Sequence, residues 1–202
     1  MRHFSYSRIL PIAVAALLCG NIQDMSALAE TTPAASTTAS VKPAVTLDTL
    51  FSDLKRERDD KQAKRISERI WAKWRDSGSA TADLLMQWAD KAVADNKNGL
   101  ALDLLDQVVV LMPDYAEGWN RRATLNYAMG KHDKSMSDIS RVLMLEPRHF
   151  GAIAGMAAIL ATAGNDELEL RAWEQMLDIY PANRQAQKRL GELADKLTGS
   201  KI

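Results

Sequence analysis

Residues 116–149 read AEGWNRRATLNYAMGKHDKSMSDISRVLMLEPRH, and how this stretch is read decides the fold. Large and small apolar residues recur at helical spacing through Trp119, Ala123 and Tyr127, break at Gly130, and resume through Ile139 and Val142. That pattern predicts two amphipathic helices joined by a tight turn. Proline cannot continue a helix interior and turns the residue before it toward extended geometry, so Pro147 closes the unit. Pro113 and Pro181 stand 34 residues to either side of it.

Working outward in that step, residue types keep their places. Small residues recur at Ala89, Ala123, Ala157 and Gly191. Bulky apolar residues recur at Leu85, Trp119 and Ile153, at Leu105, Ile139 and Trp173, and at Val108, Val142 and Met176. Turn residues recur at Asn96, Gly130 and Gly164. The small position lets two helices approach closely while the large ones fill the space beside it. One such pair cannot bury its apolar face unaided, so the units 82–115, 116–149 and 150–183 must stack. The expected fold is an all-α solenoid of antiparallel helix pairs.

The shared register resembles the tetratricopeptide repeat (TPR), whose period is 34 residues and whose outline is Trp, then Leu-Gly, Tyr, Ala, Phe and Pro. The middle unit carries it best, with Trp119, Ala123, Tyr127, Gly130, Ile139, Val142 and Pro147. The first keeps Ala89, Ala101, Leu105 and Pro113 but lacks the leading Trp; the third keeps Ala157, Gly164 and Pro181 but puts Glu169 where the family prefers a small residue. Leu190-Gly191 repeats the Leu-Gly pair in a final helix within 184–202, the expected solubilising cap. The resemblance implies a right-handed superhelix whose packing residues are Ala89, Trp119, Ala123, Ala157 and Gly191, punctuated by Pro113, Pro147 and Pro181.

The N-terminus reads as an export signal. Arg2 and Arg8 make a basic start, Ile9 to Cys19 is an apolar run, and Ala27-Leu28-Ala29 is a small-x-small cleavage site, so residues 1–29 are the expected leader. Its apolar run is shorter than the ~20 residues that span a bilayer. Cleavage after Ala29 removes two basic residues and one acidic one from a balanced chain, leaving a net charge of −1. That balance argues against nucleic-acid or membrane-surface binding driven by bulk charge. Cys19 is the one cysteine; Leu18 before it fits lipoprotein processing poorly, so soluble export to the periplasm is favoured over lipid anchoring, and no disulfide is available. Residues 30–46, rich in Thr, Ala, Ser and Pro, offer little to bury and are expected to be a disordered tail.

Between tail and repeats, residues 47–81 read as a degenerate helix pair, with one stripe of Leu47, Leu50 and Leu54 and another of Ala63, Ile66, Ile70 and Trp74. Trp71 and Trp74 are expected to pack against the first repeat. The stretch from Lys55 to Asp76 holds nine basic and five acidic residues, as suits a solvated helix surface.

Chemistry finds no purchase. His132 and His149 are far apart in sequence and neither has a second ligand at metal spacing. There is no phosphate-cradling glycine loop and no nucleophile elbow. The expectation is a binding protein without catalytic residues, metal or cofactor.

In the TPR family the first helix of each unit lines the concave wall. The matching residues are Asp83, Met86, Gln87, Asp90 and Val93, then Glu117, Asn120, Arg121, Thr124 and Tyr127, then Gly151, Ala154, Gly155, Ala158 and Thr162. Of these, Asp83, Gln87, Asn120, Arg121, Thr124, Tyr127, Gly151, Ala154, Gly155 and Ala158 are the candidate partner-binding residues, with Arg121 and Tyr127 as anchors and Gly151 and Gly155 open to close backbone approach. Only Asn120 and Arg121 resemble the Lys, Arg and Asn clamp by which family members hold acidic chaperone tails, which argues against that activity. The inner face of the Phe150–Ala163 helix has no obvious cover in the chain. The expected function is a periplasmic adaptor that holds a partner helix or peptide and supports the cell envelope; the alternatives are a homodimer built on the apolar inner wall or the Trp-rich N-terminal pair, and an accessory subunit of an envelope enzyme or transport complex.

Overall fold

The computed structural model describes residues 45–199. The expected leader, its cleavage site, Cys19 and the tail up to residue 44 lie outside the described residues. Those described form nine α-helices and no strand: α1 Leu47–Arg56, α2 Asp60–Arg75, α3 Ala80–Ala94, α4 Asn98–Leu111, α5 Ala116–Ala128, α6 His132–Leu145, α7 Phe150–Thr162, α8 Asp166–Ile179 and α9 Arg184–Gly199.

The hairpins α3–α4, α5–α6 and α7–α8 recur in the 34-residue step, and the punctuation explains where each helix stops. α4, α6 and α8 end two residues before Pro113, Pro147 and Pro181, because a residue preceding proline is pushed out of helical geometry. Within each hairpin the turn passes through a left-handed residue, Asn96 at φ 58°, Gly130 at 73° and Gly164 at 70°. Glycine enters that region without a Cβ clash, and asparagine tolerates it better than most side chains. Caps add to this: Thr46, Asp59, Ser79 and Asn165 accept hydrogen bonds from the first turns of α1, α2, α3 and α8.

Ala89, Ala123 and Ala157 are buried in the hairpins, as their period implies, among Leu105, Val108, Ile139, Val142, Trp173 and Met176. Two packing assignments need correction. Trp119 is half-buried rather than a core residue: its Nε1 donates to Pro113 O at 2.9 Å, and the Arg122 guanidinium covers the ring 4.7 Å from its centroid. Gly191 is exposed, with open space where a Cβ would stand. α9 turns Ala186 and Leu193 inward instead and joins α8 through a polar tie. Glu169, the misfit at a small-residue position, is buried there and accepts from Trp173 Nε1 at 3.0 Å and from Arg189 Nε of α9 at 2.6 Å.

The N-terminal pair departs furthest from expectation. Trp71 and Trp74 do not pack on the first repeat. Leu50, Phe51, Leu54, Ile70 and Trp74 form one apolar cluster with Phe150, Ile153, Trp173, Tyr180 and Leu193, so α1 and α2 bury their stripes against the third repeat and the cap. The Arg148 guanidinium lies 4.2 Å above the Phe51 ring and reaches Asp48 at 2.8 Å, which fixes α1 to the turn before α7.

Trp74 is 7 % exposed and central to this cluster. Trp74→Ala is expected to cost about 3–5 kcal/mol, the range for a truncated core aromatic. Trp119→Ala, on a half-buried ring, should cost roughly half as much. Urea unfolding followed by circular dichroism checks the order; a loss for Trp74→Ala smaller than that for Trp119→Ala would mean that α2 adds little to the fold.

Candidate partner-binding groove

The centre of the candidate site is a buried polar knot, of which the i, i+4 spacing of Glu117 and Arg121 announces one pair and the sequence pattern leaves the rest unannounced. Glu117, in the first turn of α5, is 2 % exposed. Its Oε2 accepts from Asn120 Nδ2 at 2.8 Å and its Oε1 from Arg121 Nε at 3.0 Å. His149, fully buried at the start of α7, brings Nε2 to 3.3 Å from Glu117 Oε2, an ion-pair distance at an angle too oblique for a formed hydrogen bond. Its Nδ1 accepts the Ala152 backbone N–H at 3.1 Å and so caps α7. A nitrogen that accepts carries no proton, which leaves Nε2, facing the carboxylate, as the proton-bearing nitrogen of the ring.

Above this knot lies α2. The Trp74 ring stacks on His149 at 4.0 Å and 13°, and Trp71 meets His149 edge-on at 5.4 Å. A Cβ built on Gly151 would stand 2.5 Å from Trp71, so only glycine admits the indole there. The third unit's inner wall therefore has its cover within the chain, contrary to expectation. Gly151 is taken by Trp71, and Ala154 packs against the cluster that holds Trp74. Gly155 is half-buried, and its Cβ position lies 3.3 Å from Ile139 Cδ1 of the preceding unit, so it also serves repeat stacking. Ala158 is half-buried on the same helix.

What remains open is the wall of the first two units. Two adjoining clefts, of about 270 and 340 Å³, share Arg75 and Arg121. Asp83, Gln87 and Asp90 of α3 line the first; Asn120 and Thr124 of α5 line the second beside Trp71. Asp83, Gln87, Asn120, Arg121 and Thr124 are thus brought together, whereas the third-unit candidates are not part of these openings. Several of them are already engaged. Arg121 Nη1 lies 2.6 Å from Asp90, tying α3 to α5, so its guanidinium is a structural bridge as well as a groove residue. Ser77 Oγ donates to Asp83 at 2.6 Å, and Tyr115 donates its hydroxyl to Arg75 O at 3.1 Å. Tyr127, expected as an aromatic anchor, stands exposed at the far end of α5 against His132, ring centroids 5.3 Å apart, while neighbouring Leu125 and Asn126 are buried. Arg75, Gln87 and Thr124 are exposed residues of these clefts that can meet a ligand.

Among the described residues no cluster of His, Cys, Asp and Glu is suited to hold a metal ion, and no helix is long and apolar enough to cross a membrane.

A TPR repeat-containing protein of Rhizobium etli is 60 % identical to this chain over 163 residues, which is 81 % of the chain and 80 % of the relative. The chain belongs to the tetratricopeptide-repeat proteins. A more distant TPR relative is the small glutamine-rich tetratricopeptide repeat-containing protein 2 of Saccharomyces cerevisiae, 27 % identical over 115 residues, 56 % of this chain and 33 % of that one. No family model matches. Among solved structures, the first TPR domain of Spaghetti (RPAP3), bound to an HSP90 peptide, superposes with a TM-score of 0.55 at 20 % identity, covering 59 % of this chain and 95 % of that one. MamA superposes at 0.54 with 16 % identity over 68 % of this chain and 81 % of its own. These likenesses show the TPR fold. TPR proteins are in general interaction modules rather than enzymes.

The polar ties of this TPR chain also set its response to acid. Burial alone would push the Glu117 carboxyl up, but the contacts from His149 and Arg121 outweigh it and hold the group below the usual carboxylate range. Hydrogen bonding from Arg189 does the same for Glu169, against a smaller opposing effect of burial. Because both titrate lower folded than unfolded, their stabilisation is complete above the unfolded-chain value of about 4.3 and is lost as pH falls through the depressed folded values. The urea midpoint should therefore drop steeply below about pH 4.3. Glu117→Gln with Glu169→Gln should flatten that fall while costing about 2–3 kcal/mol apiece at neutral pH; an acid profile unchanged in the double variant would assign acid sensitivity to other groups.

Proposed function

We propose that this protein is a non-catalytic adaptor, exported to the periplasm of a Gram-negative bacterium, which captures an extended segment of a partner protein along the open wall of α3 and α5. It would hold an envelope protein or assembly intermediate and so support envelope integrity. The observation that carries the reading is the divided groove. Its third-unit half is filled by α2, an amphipathic helix, and its first two units keep a continuous opening around Arg75, Gln87 and Thr124. A wall that accepts a helix of its own chain has the shape and chemistry to accept a peptide beside it. The peptide seen in the RPAP3 domain lends the fold-level precedent for ligands of this class. The basic start, apolar run and Ala27-Leu28-Ala29 site support export.

Site-specific photocrosslinking from position 87 in intact cells, read by mass spectrometry, tests capture. One dominant partner is expected, lost in Thr124→Glu at unchanged Tm, because that exposed side chain makes only a local bond to Asn120 O. Crosslinks that Thr124→Glu leaves untouched would remove the groove from the account. Fractionation tests export: a cleaved periplasmic form is expected, and an uncleaved cytosolic form would overturn the compartment.

A further inference from the structure

The 34-residue register makes equivalent positions comparable across units, and three of them receive the preceding hairpin. Gly118 is the first: a Cβ there would lie 2.8 Å from Val108 of α4, so a larger residue does not fit. One unit on, Ala152 is 1 % exposed within a cluster that contains Ile139 and Val142 of α6. Arg122 is the second, reaching back to Asp106 of α4 at 2.8 Å, and Met156 is its equivalent. Leu125 and Ile159 are the third, both buried against the unit before them.

In the first repeat these registers are held by Leu84, Trp88 and Lys91. Nothing stacks on them in the described chain, since α1 and α2 are committed to the third repeat. Leu84 is 43 % and Trp88 52 % exposed, and Trp88 stands with Leu100 and Leu104 around an apolar cleft of about 260 Å³. A solenoid end that simply faces water carries polar residues, as α9 does at the other end with Gln185, Lys188, Glu192 and Asp195 exposed.

We propose that this outer face of α3 is a self-association surface, on which a second copy of the chain docks face to face about a two-fold axis. Repeat-like stacking of another hairpin is sterically refused, because Leu84 stands where that geometry demands Gly or Ala. α9 has no exposed large apolar residue to meet this face in a head-to-tail contact with the copy's other end. What remains is an isologous contact, which the charge pattern fits. Lys91 and Lys97 flank Asp95 at 3.5 and 3.6 Å on an exposed rim. Across a two-fold, each copy's Asp95 can meet the other's lysines, whereas a rim of one sign would repel its own copy. The Trp88 indoles supply the aromatic anchors that dominate such contacts.

Sedimentation of the purified full chain across concentrations tests this. A monomer–dimer equilibrium is expected. Trp88→Arg, which places at this register the residue found at Arg122, and Leu84→Glu should each raise the dimer Kd at least about 30-fold, with helicity and Tm unchanged because both sites are open. Val110→Lys, on α4 outside the cleft at 81 % exposure, should leave the Kd alone. A concentration-independent monomer, a dimer indifferent to Trp88→Arg and Leu84→Glu, or one weakened equally by Val110→Lys would each overturn the proposal. So would a different protein occupying this face on a monomeric chain.

Discussion

A two-helix hairpin has more apolar surface than it can hide within itself, and every later feature of this molecule answers that deficit. The second and third repeats answer it by accepting the hairpin before them through small or buried residues at Gly118 and Ala152. The third repeat is finished by α9. The hairpin α1–α2 answers it by a longer route, laying its stripes on the far repeat rather than on its sequence neighbour. Leu84 and Trp88, at the registers where the later units carry Gly118 and Arg122, stay exposed on the repeat that the hairpin passes by.

Polar groups inside the solenoid are joints between elements. Arg121 bonds Glu117 on its own helix and Asp90 on the preceding repeat. Arg122 similarly links Asp106 and the buried Asp138, and Arg189 links the cap to Glu169. A buried pair of this kind adds little net energy over an apolar substitute, yet an unpaired member would be costly. Such pairs therefore penalise wrong docking more than they reward correct docking, which suits an architecture whose units resemble one another.

The solenoid was legible because its signal is periodic. Proline, turn residue and small residue each recur at one spacing, and local packing follows the spacing. The groove was legible only in part. Asp83, Gln87, Asn120, Arg121 and Thr124 lie where helical counting puts them, since counting along one helix needs no long-range knowledge. Counting along α7 says nothing of the neighbour that Gly155 meets, Ile139 of the preceding unit. The covering of Gly151 by Trp71 joins residues 80 apart and leaves no periodic trace. The burial of His149 leaves no periodic trace for the same reason: it is set by Trp74, on a helix that no repeat logic places there. The one available hint was the i, i+3 spacing of Trp71 and Trp74, too many aromatics for a solvated helix.

The meeting of Leu50 and Trp74 with Ile153 and Leu193 in a single cluster has a consequence for how this rod comes apart. Linear repeat arrays fray from their ends because each unit leans only on its neighbours. Here α1 and α2 clasp α7 to α9, so neither end of the described helices can peel without opening the interior that secures the other. The arrangement ties a string of semi-independent modules together through one shared interior, whose completion requires both α1–α2 and α9 in place.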